Sequence, residues 1–492
     1  MPTIEKAGYK EKTDIVEFVG NPLLAALPAF TSQNTVLKEL LKLPPTRIED
    51  RNLDATFRLD LLSRINTVHI PRAQDLFIAR SLHRCICWGY ASRNPIPFSV
   101  TAEVMKQYNI SVTDELQNYI TRTDFPIYGF SILGVSGVGK SSSVLNALKR
   151  YTQVIEHTEY NGCPFHCVQL TWLKVDCPGD GSQKGLCTAI LRQIDNVLGT
   201  HYGSEVTSRI SKDMLTSKVS QALCSHHVGV LVIDDIQNLC GINAKKDTTS
   251  DLLSFLIYLM ETLAIPVVMV GTPKVLPLFQ QEFQLAKRAT GDGTVRMEPM
   301  KKEDSDWTRY FSNIWNYQYL KNTVPLTEEM NEVFFRESVG NPFLCSLLYK
   351  LVQDDAITSK EESFSVTDVK KVANEKLCIT NTMRANILKG EDEEMRRYEY
   401  LWAAADIPVE ADIDLDGKRH AKSNPSKTQD AEAMDYIIGK LTSEFNIQID
   451  LATRLSKEAV AAKGSNEREE TLGFAVKLYR ATLPNQANTD TE

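Results

Sequence analysis

Apolar positions along the chain fall into three regimes. Up to about residue 66, short apolar clusters at helical spacing, such as PLLAALPAF and TVLKELLKLPP, alternate with prolines, and Pro44-Pro45 ends one of them. RLDLLSRI and DLFIARSLHRCICWGY continue the helical period up to a turn at Arg93-Asn94-Pro95. From about 128 to 300 the pattern changes to apolar runs of strand length separated by amphipathic stretches. Strands are predicted at 130–135, 167–175, 228–234, 267–271 and 295–297, with helices at 186–198, 214–224 and 252–263 between them. Strands that are apolar throughout and joined by helical crossovers form a parallel sheet covered on both faces, so the fold class is α/β. From about Lys301 only the helical period remains, in WTRYFSNIWNYQYL, EEMNEVFFRESVG, NPFLCSLLYKLVQ and VTDVKKVANEK. The pattern divides the chain into a helical N-terminal extension (1–66), an α/β core (67–300) and a helical lid (301–390). An acidic stretch with a flexible linker (391–430) and a docking helix with a polar tail (431–492) follow.

Composition changes this picture little. The length of 492 residues is enough for two to four domains, and 42% hydrophobic with 24% charged residues is ordinary for a globular chain. The opening MPTIEKAGYKEKTD lacks the features of a signal peptide, and no apolar run approaches a bilayer span, so a soluble, cytoplasmic protein without membrane contact is expected. Ten cysteines follow no disulfide spacing, and CPFHC (163–167) has no fourth ligand at zinc-site spacing, so buried, reduced thiols are expected. The net charge is −8, but residues 391–416 alone hold ten acidic and two basic residues. The rest is neutral overall, and net charge does not exclude a nucleic-acid partner.

The chemistry is concentrated in YGFSILGVSGVGKSSSVLNALKRY (128–151). A predicted strand runs into Gly134, Val135, Ser136, Gly137, Val138, Gly139, Lys140, Ser141 and Ser142, and then into a helix. This is the strand, glycine loop and helix of a P-loop. Its backbone N–H groups and the helix N-terminus are suited to the phosphates of ATP. Lys140 is placed for the β- and γ-phosphates, and the Ser141 hydroxyl for the accompanying Mg²⁺.

Downstream, VGVLVIDDIQNL (228–239) ends in Asp234, the expected Mg²⁺ carboxylate, and Asp235, the expected activator of the attacking water. Many ATPases have Glu at the second place. The shorter Asp235 therefore predicts slow, regulatory hydrolysis of ATP to ADP and phosphate. IPVVMVGTPK (265–274) ends in Thr272, a candidate γ-phosphate sensor, against the plainer reading of a strand-ending turn. Lys287-Arg288 closes a predicted helix. Arg288 is the candidate arginine finger for a neighbouring subunit, Arg296 is the runner-up, and a solvated helix end is the plain alternative. Gly340-Asn341-Pro342 starts a lid helix that can face the nucleotide, and no arginine follows in its first turn.

Together these motifs resemble an AAA+ ATPase. HIPRAQDLFIARSLHRCICWGYASRNP, LTWLKVDCPGDGSQKGLCTAIL, VIDDIQNL and LAKRATGDG are similar, more narrowly, to the TnsC/TniB transposition regulators of Tn-seven-like transposons, including CRISPR-associated ones. The similarity spans about 60 to 390. It implies an ATP-dependent adaptor that assembles as rings or helical filaments on double-stranded DNA. Such an adaptor links a TniQ/TnsD-type target selector to TnsA/TnsB-type transposase subunits, and so couples site selection to DNA recombination. A finger serving the next subunit is a head-to-tail contact, which builds rings or open helices. DNA would be held through its phosphates, and Lys174, Lys184, Arg192, Lys212 and Lys218 are the candidate contacts, each equally readable as a solvated side chain. Two other classes fit the P-loop: a signalling or defence-type NTPase switch, which the Gly-Asn-Pro turn favours, and a small-molecule kinase.

Overall fold

The computed structural model of the protein describes residues 4–384 except 11–12, 108–111, 115, 118–119, 121–125, 208, 241–245, 277–286, 288–289 and 382–383. Beyond these it describes positions 454–457, 459, 474 and 476–477, all helical. The acidic stretch, the linker and Arg288 lie outside the described residues.

The centre is a five-stranded, all-parallel sheet built from β2 (Phe130–Gly134), β5 (Trp172–Asp176), β6 (Val230–Asp234), β7 (Val267–Gly271) and β8 (Thr294–Met297). Their order is β5-β6-β7-β2-β8. β2, β6 and β7 are buried at every position, in keeping with their largely apolar sequences. One face carries α7 (Gln183–Leu198), α8 (Lys212–Ser225) and α9 (Lys246–Glu261), whose Leu186, Ile190, Val219, Leu252 and Leu256 pack on Leu231, Ile233 and Met269. The other carries α4 (Ala73–Ala91) and α6 (Lys140–Leu148) over Phe130, Ile132, Val232 and Val270.

The predicted strand at 167–175 is two strands in two sheets. β4 (Cys163–Leu170) pairs antiparallel with β3 (Val154–Tyr160), and β1 (Ile4–Lys6) joins β3 in parallel to complete a separate three-stranded sheet. The chain changes sheets at Thr171, whose N–H donates to Gln153 O at 2.9 Å while Leu170 N–H donates to His226 O at 2.8 Å. Hydrophobicity is continuous across that junction because both strand ends are buried, so periodicity does not reveal it. The hairpin turn is Asn161-Gly162, with φ of 50° and 76°. That dipeptide is the strongest local hairpin signal, although the strands predicted at 130–135 and 167–175 leave both sides of the turn unassigned.

The N-terminal extension does not stand apart, and residues 1–410 form one compact unit, with 411–492 a second. Leu23 and Leu24 of α1 (Pro22–Ala25) and Val36 and Leu40 of α2 (Gln33–Leu40) are part of the core beneath α4. After α3 (Ala55–Leu61), Leu62 and Ile65 enter the lid core instead. A further helix, α5 (Phe98–Gln107), follows α4. The lid comprises α10 (Ser305–Trp315), α11 (Glu328–Ser338), α12 (Pro342–Thr358) and α13 (Val366–Lys376) around Trp307, Phe311, Trp315, Phe334 and Tyr349. No helix among the described residues is long and apolar enough to cross a membrane.

Candidate functional site

The C-terminal ends of β2, β6 and β7, central and adjacent in the sheet, open into a polar cleft of about 560 Å³. Ligands of open parallel sheets bind in that place because helix N-termini and loop amides converge there. Gly137 and Gly139 turn the loop with φ of 84° and 98°, values that L-side chains rarely adopt. Gly139 is the N-cap of α6, so the helix starts at Lys140 and its first turn lines the cleft. Lys140 Nζ donates to the carbonyls of Gly134 and Val135 at 2.8 and 3.0 Å, folded back across the loop it belongs to. Ser141 and Ser142 are exposed and line the cleft.

Asp234 ends β6 and is almost fully buried. Its Oδ1 accepts from the Asp235 N–H at 3.0 Å, and its Oδ2 lies 2.8 Å from Lys174 Nζ. Asp235 is exposed, with its backbone in the left-handed region at φ 55°. A non-glycine residue held there stores local strain, a frequent feature of functional turns, and the bend presents the carboxylate to the cleft. Asp is among the residues that tolerate it.

Thr272 lies just past β7, 4% exposed, and its hydroxyl oxygen is buried with no hydrogen-bond partner among the described residues. A buried hydroxyl left unpaired costs about 1–3 kcal/mol, and its place on the cleft wall fits a group that gains its partner from a bound phosphate. Thr272→Val removes the unpaired hydroxyl at nearly constant volume. The nucleotide-free melting temperature is expected to hold or rise, while the hydrolysis rate falls about a hundredfold. Unchanged turnover would return Thr272 to a simple strand end.

Sequence reasoning passed over two residues. Gln237 bridges both catalytic candidates: its Nε2 donates to Asp235 Oδ1 at 2.9 Å, and its Oε1 accepts the Thr272 N–H at 3.1 Å. Gly271 makes room for this, since a Cβ there would meet Gln237 Oε1 at 2.7 Å and Ile236 Cγ2 at 2.6 Å. The Gln three places after Asp234 was the available signal. Arg72 starts α4 and is buried; its guanidinium donates to Val138 O and Glu298 O, both at 3.0 Å, and so ties the P-loop to the end of β8. It stands within the HIPRAQD motif, but only the fold shows what it holds.

The lid turn sits directly on the P-loop. Asn341 caps α12 by accepting from the Phe343 and Leu344 N–H groups at 3.1 and 3.3 Å, and its Nδ2 donates to Ser136 O at 2.9 Å. Phe343 N–H also donates to Gly137 O at 3.2 Å, and its ring lines the cleft. Arg296, on β8, pairs with Glu298. Lys287 is exposed, and Arg288 beside it is outside the described residues.

The five candidate DNA contacts are spread over one flank. Lys174 is on β5, between Asp234 and Asp176 and facing the site. Burial lowers its pKa, but hydrogen bonding to Asp234 and the charges of both carboxylates outweigh this and raise it. Lys184 and Arg192 lie on α7, and Lys184 Nζ donates to Ile210 O at 3.5 Å. Lys212 and Lys218, on α8, pair with Asp251 and Glu205. A second cavity of about 440 Å³, beneath the N-terminal extension, includes none of the P-loop residues.

The groups present fit a Mg²⁺–nucleoside triphosphate: glycine-loop residues, a lysine, a serine, Asp235 and the unsatisfied Thr272 hydroxyl line one cleft, and the buried Asp234 carboxylate lies next to Asp235 at the end of β6. One comparison with known proteins bears on this reading. Residues 129–279 match the family model described as an AAA domain. No curated protein matches the chain. Among solved structures it is similar to a Walker-type ATPase of Pyrococcus abyssi, at 15% identity and a TM-score of 0.34, over 59% of this chain and 77% of that one. The match and the topology make the fold that of an AAA+ P-loop NTPase, and ATP binding is what the matched domain implies.

Proposed function

We propose that the protein is an ATP-dependent adaptor that oligomerises on duplex DNA and links target-site selection to transposase recruitment. The observation that carries the assembly is the composition of the cleft: among its described lining residues there is a lysine but no arginine. Phosphoryl transfer in such sites is accelerated by an arginine placed against the γ-phosphate. A neighbouring subunit supplying Arg288 completes the site and creates a head-to-tail contact. Bound Mg²⁺ supplies charge neutralisation on the phosphate oxygens. Ser141 and Asp234 are the residues to hold it, Asp235 orients water, and Thr272 binds the γ-phosphate side. The transposition role rests on the likeness of HIPRAQDLF, LTWLKVDCPGDG, VIDDIQNL and LAKRATGDG to TnsC/TniB regulators.

Electron microscopy of the protein with duplex DNA, with and without a non-hydrolysable ATP analogue, tests the proposal. Ordered rings or filaments are expected only with both nucleotide and DNA, and Arg288→Ala is expected to lose them. Nucleotide-bound monomers indifferent to DNA would favour the second reading, a signalling-type switch. The contact between the Asn341 turn and the P-loop supports that reading, because it gives the lid a direct grip on the nucleotide loop.

A further inference from the structure

Parallel pairing sets Asp176 of β5 opposite Asp234 of β6, so two carboxylates stand side by side where the strands end. Lys174, two residues earlier and therefore on the same face of the sheet, reaches both: its Nζ is 2.8 Å from Asp234 Oδ2 and 3.2 Å from Asp176 Oδ1. The two pairs differ in setting. The Asp176 side chain is 74% exposed and that of Asp234 only 5%, so solvent screens the first contact far more than the second. Asp234 Oδ1 is already engaged by the Asp235 N–H, which leaves Oδ2 as the oxygen free of backbone contacts, and the ammonium occupies it.

Resting on the nucleotide-binding reading of this cleft, we propose that Lys174 is a tethered counter-ion that competes with Mg²⁺ for Asp234 and so sets how much Mg²⁺ the protein needs to bind nucleotide. A hydrated Mg²⁺ approaching Asp234 meets a fixed positive charge within a few ångströms, with little water between them to screen it. Metal entry therefore requires the ammonium to swing towards Asp176, which is exposed and already within reach. Lys174 is a positioning residue in this scheme: it acts on the carboxylate and has no contact with the reacting atoms. Its place on β5, against Asp234, gives it a role separate from the helix-borne cations Lys184, Arg192, Lys212 and Lys218.

The test is a fluorescence titration of N-methylanthraniloyl-ATP against the full chain, at a series of Mg²⁺ concentrations and in EDTA. The readout is the Mg²⁺ concentration giving half-maximal enhancement of nucleotide affinity. Lys174→Met keeps the stem and removes the charge, and it is expected to lower that concentration about tenfold. Lys174→Arg restores the charge and is expected to return the requirement towards that of the unaltered protein. Lys174→Gln, with a thermal melt of each variant, guards against a folding defect in the Met variant. An unchanged or increased Mg²⁺ requirement in folded Lys174→Met or Lys174→Gln overturns the proposal and leaves the lysine as a structural clasp on Asp234. Failure of the unaltered protein to bind the nucleotide at any Mg²⁺ concentration would instead remove the nucleotide-site reading on which the proposal stands.

Discussion

Lys140→Ala is expected to weaken ATP binding by about a hundredfold, the effect of losing one charge-assisted contact of about 3 kcal/mol. The ammonium donates to two carbonyls of its own loop, Gly134 and Val135, at 2.8 and 3.0 Å. Those carbonyls lie beside the open cleft, so the variant's melting temperature without nucleotide is expected to change little. The stabilisation that ATP confers on the unaltered protein is expected to disappear from its melts, because a ligand stabilises only in proportion to its binding. A calorimetric titration gives the affinity directly. Affinity close to that of the unaltered protein would move the binding site away from the P-loop.

The largest stability effect is expected far from the cleft, at Arg58. This residue of α3 is 1% exposed, and its guanidinium makes two parallel contacts with Glu362 at 2.6 and 2.7 Å. It also donates to Leu53 O at 3.0 Å and Tyr319 O at 2.9 Å. The pair fastens the N-terminal extension to the lid. Arg58→Ala strands the Glu362 carboxylate and two carbonyls, and a loss of about 3–5 kcal/mol is expected. Exposed pairs such as Lys218–Glu205 are the control, at less than about 1 kcal/mol. Denaturant unfolding followed by tryptophan fluorescence, to which the buried Trp307 and Trp315 of the lid contribute, measures the loss.

The pH dependence has a fixed sign. Hydrogen bonding to Arg58 holds the Glu362 pKa below its ordinary value. Its contribution is complete above the unfolded pKa and is lost as pH falls through the depressed folded pKa. The penalty of Arg58→Ala is therefore expected to be full at neutral pH and to shrink below about pH 4. A penalty below 1 kcal/mol at neutral pH would show that the extension is held by its other contacts, among them Arg51 to Gln318 O and Tyr317 to Pro44 O.

Much of this protein is written locally. The phosphate loop, the two aspartates and the threonine each occupy a strand end announced by an apolar run, and adjacent parallel strands bring those ends into one cleft. Parallel topology makes that convergence nearly automatic, since every strand points its C-terminal end the same way. What the sequence determined is therefore the nucleotide chemistry and its order along the chain. Tertiary structure decided the rest, through contacts between residues distant in sequence. Arg58 meets Glu362 across 304 positions, and Arg72 reaches Val138 and Glu298. Asn341 rests on Ser136, 205 positions away. The split at Thr171 was hidden because the buried end of β4 runs directly into the buried start of β5. Lys174 shows the difference most plainly: in sequence it is one more basic residue, and only strand register places its charge on Asp234.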